Sequence, residues 1–140
     1  IQVFGNSMAI RNKGGVIVNV ASDLSVIAPN QELYRDNNLD HVKQSVKPVT
    51  YSVIKTGLVG LTKYVATYWA DKNIRCNSIS PGGVFNNHDE EFLNKISKLI
   101  PLGRMAKKEE YRSAIQFLCS DASSYMTGHN LVIDGGRSIW

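Results

Sequence analysis

The stretch Val16-Ile-Val-Asn-Val-Ala21 decides the fold. It is short, rich in β-branched residues and almost continuously apolar, which is typical of a strand buried on both faces of a parallel sheet. Its one polar residue, Asn19, needs hydrogen-bond partners inside the protein. Before the strand, Lys13-Gly14-Gly15 interrupts a short apolar pattern over residues 1–12, which indicates the last turns of a helix. We therefore expect a helix that leads into a buried strand.

The same strand pattern recurs twice farther along the chain, with helical patterns in between. The runs Ile74–Ile79 and Leu131–Ile133 are the second and third predicted strands. Apolar residues at helical spacing predict a long helix over Tyr51–Lys72, and shorter helices are predicted from about Asp89 to Leu99 and from Lys108 to Ser120. Strands that alternate with helices predict an α/β fold with a parallel sheet.

Two further expectations concern the long helix and the segment before it. Thr50 or Ser52 is expected to cap the start of the helix. Gly57 and Gly60 lie inside it at a cost to helix stability, which predicts the close approach of another element. The polar segment from residue 22 to residue 48 is predicted to be a long loop with one helical turn, and loops of this length in compact domains usually have a function or are disordered.

The composition excludes several classes of protein. The 140 residues are 43% hydrophobic and 20% charged, which is ordinary for one globular domain and unlike a disordered or fibrous chain. The 16 Lys and Arg residues against 12 Asp and Glu give a net charge of +4, and these cations are scattered, so we expect no nucleic-acid partner. No apolar run is long enough to cross a membrane, and the first residues lack the charged start of a signal peptide.

The cysteines and histidines predict neither a disulfide nor a metal site. Cys76 and Cys119 lie far apart in sequence, and we interpret them as small, buried, reduced thiols. His41, His88 and His129 have no metal-ligand spacing to each other or to the cysteines. We therefore expect a cytoplasmic protein without a structural metal.

Three groups of residues are suited to chemistry, and each follows a predicted strand or begins a predicted helix. Ser22 follows the first strand, where open α/β sheets bind ligands, and its hydroxyl can hydrogen-bond a substrate oxygen. Tyr51 and Lys55 lie four residues apart, on one face of the long helix. A lysine ammonium near a phenol favours the phenolate, so such a tyrosine can pass a proton to or from an alcohol or carbonyl oxygen. Ser80-Pro81-Gly82-Gly83-Val84 follows the second strand, and its proline and paired glycines allow the backbone to approach a flat ligand.

Each group alone also fits a structural role, as a loop cap, a helix surface pair or a turn, but their order along the chain is specific. At these positions the sequence resembles the short-chain dehydrogenase/reductase family, and the resemblance extends over essentially the whole chain after the first dozen residues. The matching stretches are Gly15-Val-Ile-Val-Asn-Val-Ala-Ser22, Tyr51-Ser-Val-Ile-Lys-Thr-Gly-Leu58, Ile74-Arg-Cys-Asn-Ser-Ile-Ser-Pro-Gly82, Phe117-Leu-Cys-Ser-Asp121, Tyr125-Met-Thr-Gly128 and Val132-Ile-Asp-Gly-Gly136.

The resemblance implies a role for each matching position. Tyr51 corresponds to the general acid/base and is also implied to contact the cofactor, and Lys55 corresponds to the residue that supports it and binds the ribose hydroxyls next to the nicotinamide. Ser22 corresponds to the residue that hydrogen-bonds the substrate carbonyl or hydroxyl. The positions implied to line the nicotinamide are Pro81, Gly82, Gly83 and Val84, with the Val84 backbone meeting its carboxamide. The family thus implies an oxidoreductase that interconverts a hydroxyl and a carbonyl with NAD or NADP.

The sequence also departs from the family pattern. The family's Gly-rich loop, the residue that selects NAD or NADP and the helix Asn of the catalytic group are absent, and all would lie upstream of Ile1. We therefore expect residues 1–140 to be the C-terminal part of one catalytic domain, with half of a doubly wound, Rossmann-like parallel sheet. Phe85-Asn86-Asn87 replaces a Thr common in the family. Ser22 and Tyr51 are 29 positions apart, and an insertion around Asn30–Lys47 explains this long spacing.

The alternatives concern both partner and activity. We expect a small-molecule substrate with a hydroxyl or carbonyl, and a sugar-like substrate is one expectation because the insertion would lie over the substrate mouth. Family members also imply a homo-oligomer built through the long helix and the last helix and strand. The main alternative is a truncated, inactive fragment that acts only in association with partners. A sugar-nucleotide epimerase or dehydratase is a third possibility, disfavoured by the short distance from Pro81 to Gly136.

Overall fold

The computed structural model describes residues 1–140 and confirms the α/β class. Its three strands all lie in one sheet, and four α-helices and several short 3₁₀ turns connect them. The strands are β1 (Gly15–Val20), β2 (Ile74–Pro81) and β3 (Asn130–Ile133), and the helices are α1 (Gln2–Arg11), α2 (Val49–Tyr68), α3 (Glu90–Ser97) and α4 (Arg112–Cys119).

The sheet is parallel throughout, in the order β1-β2-β3. The central strand β2 is buried along almost its whole length, as its apolar pattern requires. Asn19 of β1 finds the partners that its burial demands, because its amide nitrogen donates to Thr62 Oγ1 at 2.9 Å. Since all three strands run in the same direction, their carboxyl ends meet at one edge of the sheet, which is where the predicted site residues lie.

The apolar core has two parts. The first packs α2 onto the sheet and consists of Val65, Ala66, Trp69, Ile74 and Cys76. Gly5 of α1 lies directly against the Trp69 indole, which leaves no room for a side chain. The second part joins the polar segment before α2 to α3 and consists of Leu33, Ile96, Ile100 and Met105. This second cluster gives the segment a fixed place above the carboxyl ends of the strands.

The long helix differs from the prediction at both ends. It begins after Pro48, and no side chain caps it, so the prediction that Thr50 or Ser52 caps the helix is wrong; both residues lie inside its first turn. It ends at Tyr68, and Ala70–Lys72 form a separate 3₁₀ turn. Asn73 has a left-handed backbone (φ 55°), which leads the chain from this turn into β2.

The predicted close approach at Gly57 and Gly60 is also wrong within this chain. A Cβ built on either glycine meets no atom within 4 Å. Beside them, Val53 and Ile54 are exposed, at 65% and 61% of their full surface. We call this surface the outer face of α2; its apolar residues are Val53, Ile54, Leu61, Tyr64 and Tyr68.

Three smaller expectations need correction or detail. Lys108–Tyr111 form a 3₁₀ turn, so the last helix begins only at Arg112. Cys76 is buried as expected, whereas Cys119 is exposed at the end of α4. The segment between β1 and α2 contains three short 3₁₀ turns instead of one helical turn. None of the helices combines the length and the apolarity needed to cross a bilayer.

Candidate active site

One open cavity of about 370 Å³ lies at the carboxyl ends of β1 and β2. The structure brings all the sequence-predicted site residues to it, although they come from three separate parts of the chain. Those that line it are Ser22, Tyr51, Lys55, Pro81, Gly82, Gly83 and Val84. The start of α2 forms one wall, and the segment before α2 together with α3 forms the opposite rim.

Ser22 is fixed by hydrogen bonds at the end of β1. It is 6% exposed, and its Oγ donates to Asp23 Oδ1 at 2.9 Å. The same oxygen accepts from the Leu24 N–H at 3.2 Å and so caps a 3₁₀ turn. Ser22 can therefore cap the turn and still present its hydroxyl group to the cavity, whose wall it lines.

A buried ion pair next to Ser22 was not predicted from the sequence. Arg137 Nη1 lies 2.7 Å from Asp23 Oδ2, and the two side chains are only 10% and 5% exposed. The turn before Arg137 is itself held by Asp134, whose carboxylate accepts from the Gly136 and Ser138 N–H groups at 2.9 and 2.8 Å. The ion pair therefore links Ser22 to the C-terminal end of the chain.

Tyr51 and Lys55 occupy successive turns of α2 and face the end of β1. Lys55 Nζ donates to the Val20 carbonyl oxygen at 2.9 Å and lies 5.7 Å from the centre of the Tyr51 ring. A second ammonium, Lys47 Nζ, lies closer to this ring, at 4.0 Å from its centre. Two cations therefore flank the one phenol, and the second of them was not predicted.

Lys47 is placed by a link across the segment before α2. Its backbone N–H donates to Gln31 Oε1 at 2.9 Å, and Gln31 Nε2 donates back to its carbonyl oxygen at 3.5 Å. This link joins the two ends of the segment from residue 30 to residue 47, where the sequence predicts an insertion. Tyr34 from the same stretch also lines the cavity, and burial raises the pKa of its phenol, partly opposed by Arg137.

The two glycines after β2 are required by the packing of the chain itself. A Cβ on Gly82 would lie 2.8 Å from the Asp134 Cα, and one on Gly83 would lie 2.7 Å from the Met105 methyl carbon. Close approach of the backbone is therefore real here, but the approaching groups belong to β3's end and to the second core cluster.

The Val84 backbone, by contrast, has unused polar groups. Its neighbours bond to Ala106: the Phe85 N–H donates to the Ala106 carbonyl at 2.9 Å, and the Ala106 N–H donates to Gly83 O at 2.9 Å. Because successive residues of an extended chain direct their polar groups to opposite sides, the Val84 N–H and C=O point away from Ala106. No hydrogen bond within the chain uses them. A donor and an acceptor side by side suit a carboxamide.

Comparison with known proteins identifies the family. The model of the family described as enoyl-(acyl carrier protein) reductase matches residues 39–138. An NAD-dependent glycerol dehydrogenase of Listeria innocua is 38% identical over 143 aligned positions, which cover 99% of this chain and 50% of that protein. The chain belongs to the short-chain dehydrogenase/reductase family.

Other family members agree in sequence and in structure. A D-threitol dehydrogenase of Mycolicibacterium smegmatis is 36% identical, and the alignment covers 90% of this chain and 44% of that protein. The crystal structure of a short-chain dehydrogenase from Leptospira borgpetersenii with bound NAD⁺ superposes with a TM-score of 0.88 at 34% identity, covering 98% of this chain and 50% of that chain. The chain thus spans about half the length of the short-chain dehydrogenase/reductase proteins it matches.

Proposed function

We propose that the protein containing this chain is an NAD- or NADP-dependent oxidoreductase that interconverts a hydroxyl and a carbonyl. The observation that carries the proposal is the convergence of Ser22, Tyr51, Lys55 and the Val84 backbone on one cavity. Relatives named as dehydrogenases of glycerol and threitol support a polyol or sugar-like substrate. In this proposal, residues 1–140 form the C-terminal part of one catalytic domain, since the outer edge of β1 has no strand paired to it.

The residues fit the nicotinamide end of a dinucleotide. The unused Val84 N–H and C=O would hold the carboxamide, and Pro81, Gly82 and Gly83 would line one side of the ring. Lys55 would bind the ribose hydroxyls with the N–H groups that it does not donate to Val20. When bound, the nicotinamide supplies or accepts the hydride.

The side chains of the site handle the proton. Tyr51 would give its phenolic proton to the carbonyl oxygen during reduction, or take the hydroxyl proton during oxidation. The ammonium groups of Lys47 and Lys55 lie 4.0 and 5.7 Å from the centre of this ring and place positive charge beside the residue that exchanges the proton. Ser22 would orient the substrate oxygen by rotating its O–H away from Asp23, and its capping bond from Leu24 keeps the side chain in place during this rotation.

The test is the substitution Tyr51→Phe in the full-length protein. Loss of the phenolic hydroxyl should lower kcat by about 10²- to 10⁴-fold, while NAD(P)H binding measured by fluorescence titration remains. Tyr125→Phe is the matched control, because Tyr125 is fully exposed and away from the cavity. Normal turnover in Tyr51→Phe would refute the proposed function. A protein that associates but binds no NAD(P)H would favour the inactive-fragment alternative.

The proposal extends to assembly and location. We expect a homo-oligomer in which the outer face of α2 is covered, since this contiguous apolar surface is unusual for a free monomer. We also expect the cytoplasm, because Cys76 and Cys119 form no disulfide and cytosolic proteins keep their thiols reduced. Sedimentation of the purified full-length protein tests the first expectation.

A further inference from the structure

We propose that the cavity binds an anionic substrate, a hydroxy or oxo acid, through the side chains of Lys47 and Arg137. This inference rests on the proposed function and, among its polyol or sugar-like substrates, selects the acids over the neutral polyols. Four observations carry it: the charge of the cavity wall, the absence of a partner for Lys47, the unused donors of Arg137, and the links that hold both side chains in place.

The wall of the cavity has an excess of positive charge. Its charged residues are three cations, Lys47, Lys55 and Arg137, and one carboxylate, Asp23. Asp23 is fully engaged by Arg137, Ser22 and the Leu24 N–H. No other carboxylate lines the cavity, so two positive charges have no counter-charge within it. An anion in such a partly enclosed space is attracted more strongly than in open water.

Lys47 is the cation that has no other task in the structure. Its ammonium makes no ion pair and no hydrogen bond, and it lies over the Tyr51 ring, 4.0 Å from the ring centre. Lys55, by comparison, donates to Val20 and is assigned to the ribose. The Gln31 link fixes the Lys47 backbone on the cavity rim. The ammonium therefore lies over the Tyr51 ring without being neutralised by a carboxylate.

Arg137 contributes a buried guanidinium with spare donors. Its side chain is nine-tenths buried and makes one hydrogen bond, from Nη1 to Asp23. Arginine has five N–H donors, and those of Arg137 that do not bond to Asp23 make no hydrogen bond within the chain, so they are free to bind an acceptor in the cavity. The turn fixed by Asp134 keeps the guanidinium in this orientation.

The donor set favours a carboxylate. A guanidinium presents parallel N–H groups that match the two oxygens of a carboxylate, and an ammonium adds a third charged donor. A neutral polyol would supply hydroxyl acceptors but would leave both positive charges unbalanced. A phosphate ester offers the same anionic chemistry, and the experiment therefore includes one.

The experiment measures binding in place of turnover, so that its failure is separate from failure of the proposed oxidoreduction. The full-length protein is titrated by calorimetry, in the presence of NAD⁺ or NADP⁺, with D-gluconate, D-glucitol and D-glucitol 6-phosphate. These probes share a six-carbon chain and differ in charge. We expect at least about tenfold tighter binding of an anionic probe than of D-glucitol, because charged hydrogen bonds are the stronger ones.

The variants identify the side chain responsible. Lys47→Met should remove most of the preference for the anion and leave D-glucitol binding within about twofold, whereas Lys47→Arg should retain the preference. Lys43→Met is the matched control, because Lys43 is an exposed lysine of the same segment that pairs with Asp40 outside the cavity. Arg137 is the less suitable site for substitution, since its loss would leave Asp23 buried without a partner.

Each outcome decides the inference. Tighter binding of D-gluconate or of the phosphate ester that depends on Lys47 supports it, and the comparison of the two anions shows which group the cavity selects. Equal binding of charged and neutral probes, an anion preference that survives Lys47→Met, or no binding of any probe at millimolar concentration would overturn it.

Discussion

The two sides of α2 differ in how many contacts they make with the rest of this chain. On the cavity side, Lys55 is fixed on the Val20 carbonyl, and Tyr51 lies beneath the Lys47 ammonium. On the outer face, Val53 is 65% exposed, and Gly57 has no atom within reach of a Cβ. One helix thus presents a polar site that contacts within the chain already hold in place, and an apolar surface that they leave uncovered. Chemistry and assembly are therefore separable by substitution.

The largest expected effect lies on the cavity side, in the Asp23–Arg137 pair. Arg137→Met should lower the free energy of unfolding by about 3–5 kcal/mol, because it leaves a buried carboxylate without its counter-charge. Chemical denaturation of the full-length protein measures this loss. Adding Asp23→Leu to the variant should recover part of it, and an additive loss in the double variant would argue against direct pairing.

The next effect compares two glycines, one in contact with the core and one on the outer face. Gly5→Ala should destabilise the protein by about 1–3 kcal/mol, because its methyl group would overlap the Trp69 indole. Gly57→Ala adds the same methyl group where no atom of the chain is near, and the helix should gain about 0.5–1 kcal/mol. Thermal unfolding at low protein concentration, where monomers prevail, tests both the loss of stability expected for Gly5→Ala and the gain expected for Gly57→Ala. A destabilised Gly57→Ala monomer would show that this surface is covered within the protein itself.

A smaller effect on folding and a clear effect on assembly are expected for Val53→Lys. Since Val53 is exposed, the substitution should change the free energy of unfolding of the monomer by about 0.5 kcal/mol or less. A charge on the outer face should nevertheless lower the oligomer mass measured by sedimentation. Lys63→Ala, an exposed charge removed from the same helix, is the control. An unchanged mass in Val53→Lys would place any interface elsewhere.

The sequence predicted the positions of the strands and helices more reliably than it predicted which of their faces are covered by other parts of the chain. The apolar pattern located β1 to within one residue, because a strand buried on both faces has a distinctive composition. Helical spacing located α2 as well, but a periodic pattern does not show whether its apolar side is covered by the same chain, and Val53 and Ile54 on that side are exposed.

The site residues also divide into those predicted from their local position and those missed because they depend on contacts between distant parts of the chain. Ser22, Tyr51 and Lys55 were predicted because each lies at a strand end or helix start, where topology alone brings side chains to one edge of the sheet. Arg137 was missed because its partner Asp23 lies 114 positions away, and no local pattern reports such a contact. Lys47 was missed because its position depends on the link to Gln31, although the long spacing before Tyr51 indicated that the segment covers the site.

The smallest expected effect is chemical and leaves stability unchanged. Burial raises the pKa of the Cys76 thiol to about 11, so at pH 8 this thiol stays protonated and shielded below α2. Cys119 is exposed at the end of α4. Within this chain, a thiol-reactive chromogenic disulfide should therefore modify one cysteine in the folded protein and both after denaturation. Modification of both in the folded protein would show that the core beneath α2 opens readily.

The central claim is that Ser22, Tyr51, Lys55 and the Val84 backbone form one active site. The most direct test of this claim is a crystal structure of the full-length protein with NAD⁺ or NADP⁺. The assignment predicts that the nicotinamide carboxamide bonds to the Val84 backbone at about 3 Å and that Lys55 Nζ reaches the adjoining ribose. It also predicts an open space beside the ring, bounded by Ser22, Tyr51 and Lys47, for the substrate. A nicotinamide bound outside this cavity, with the Val84 N–H and C=O still unpaired, would contradict the assignment.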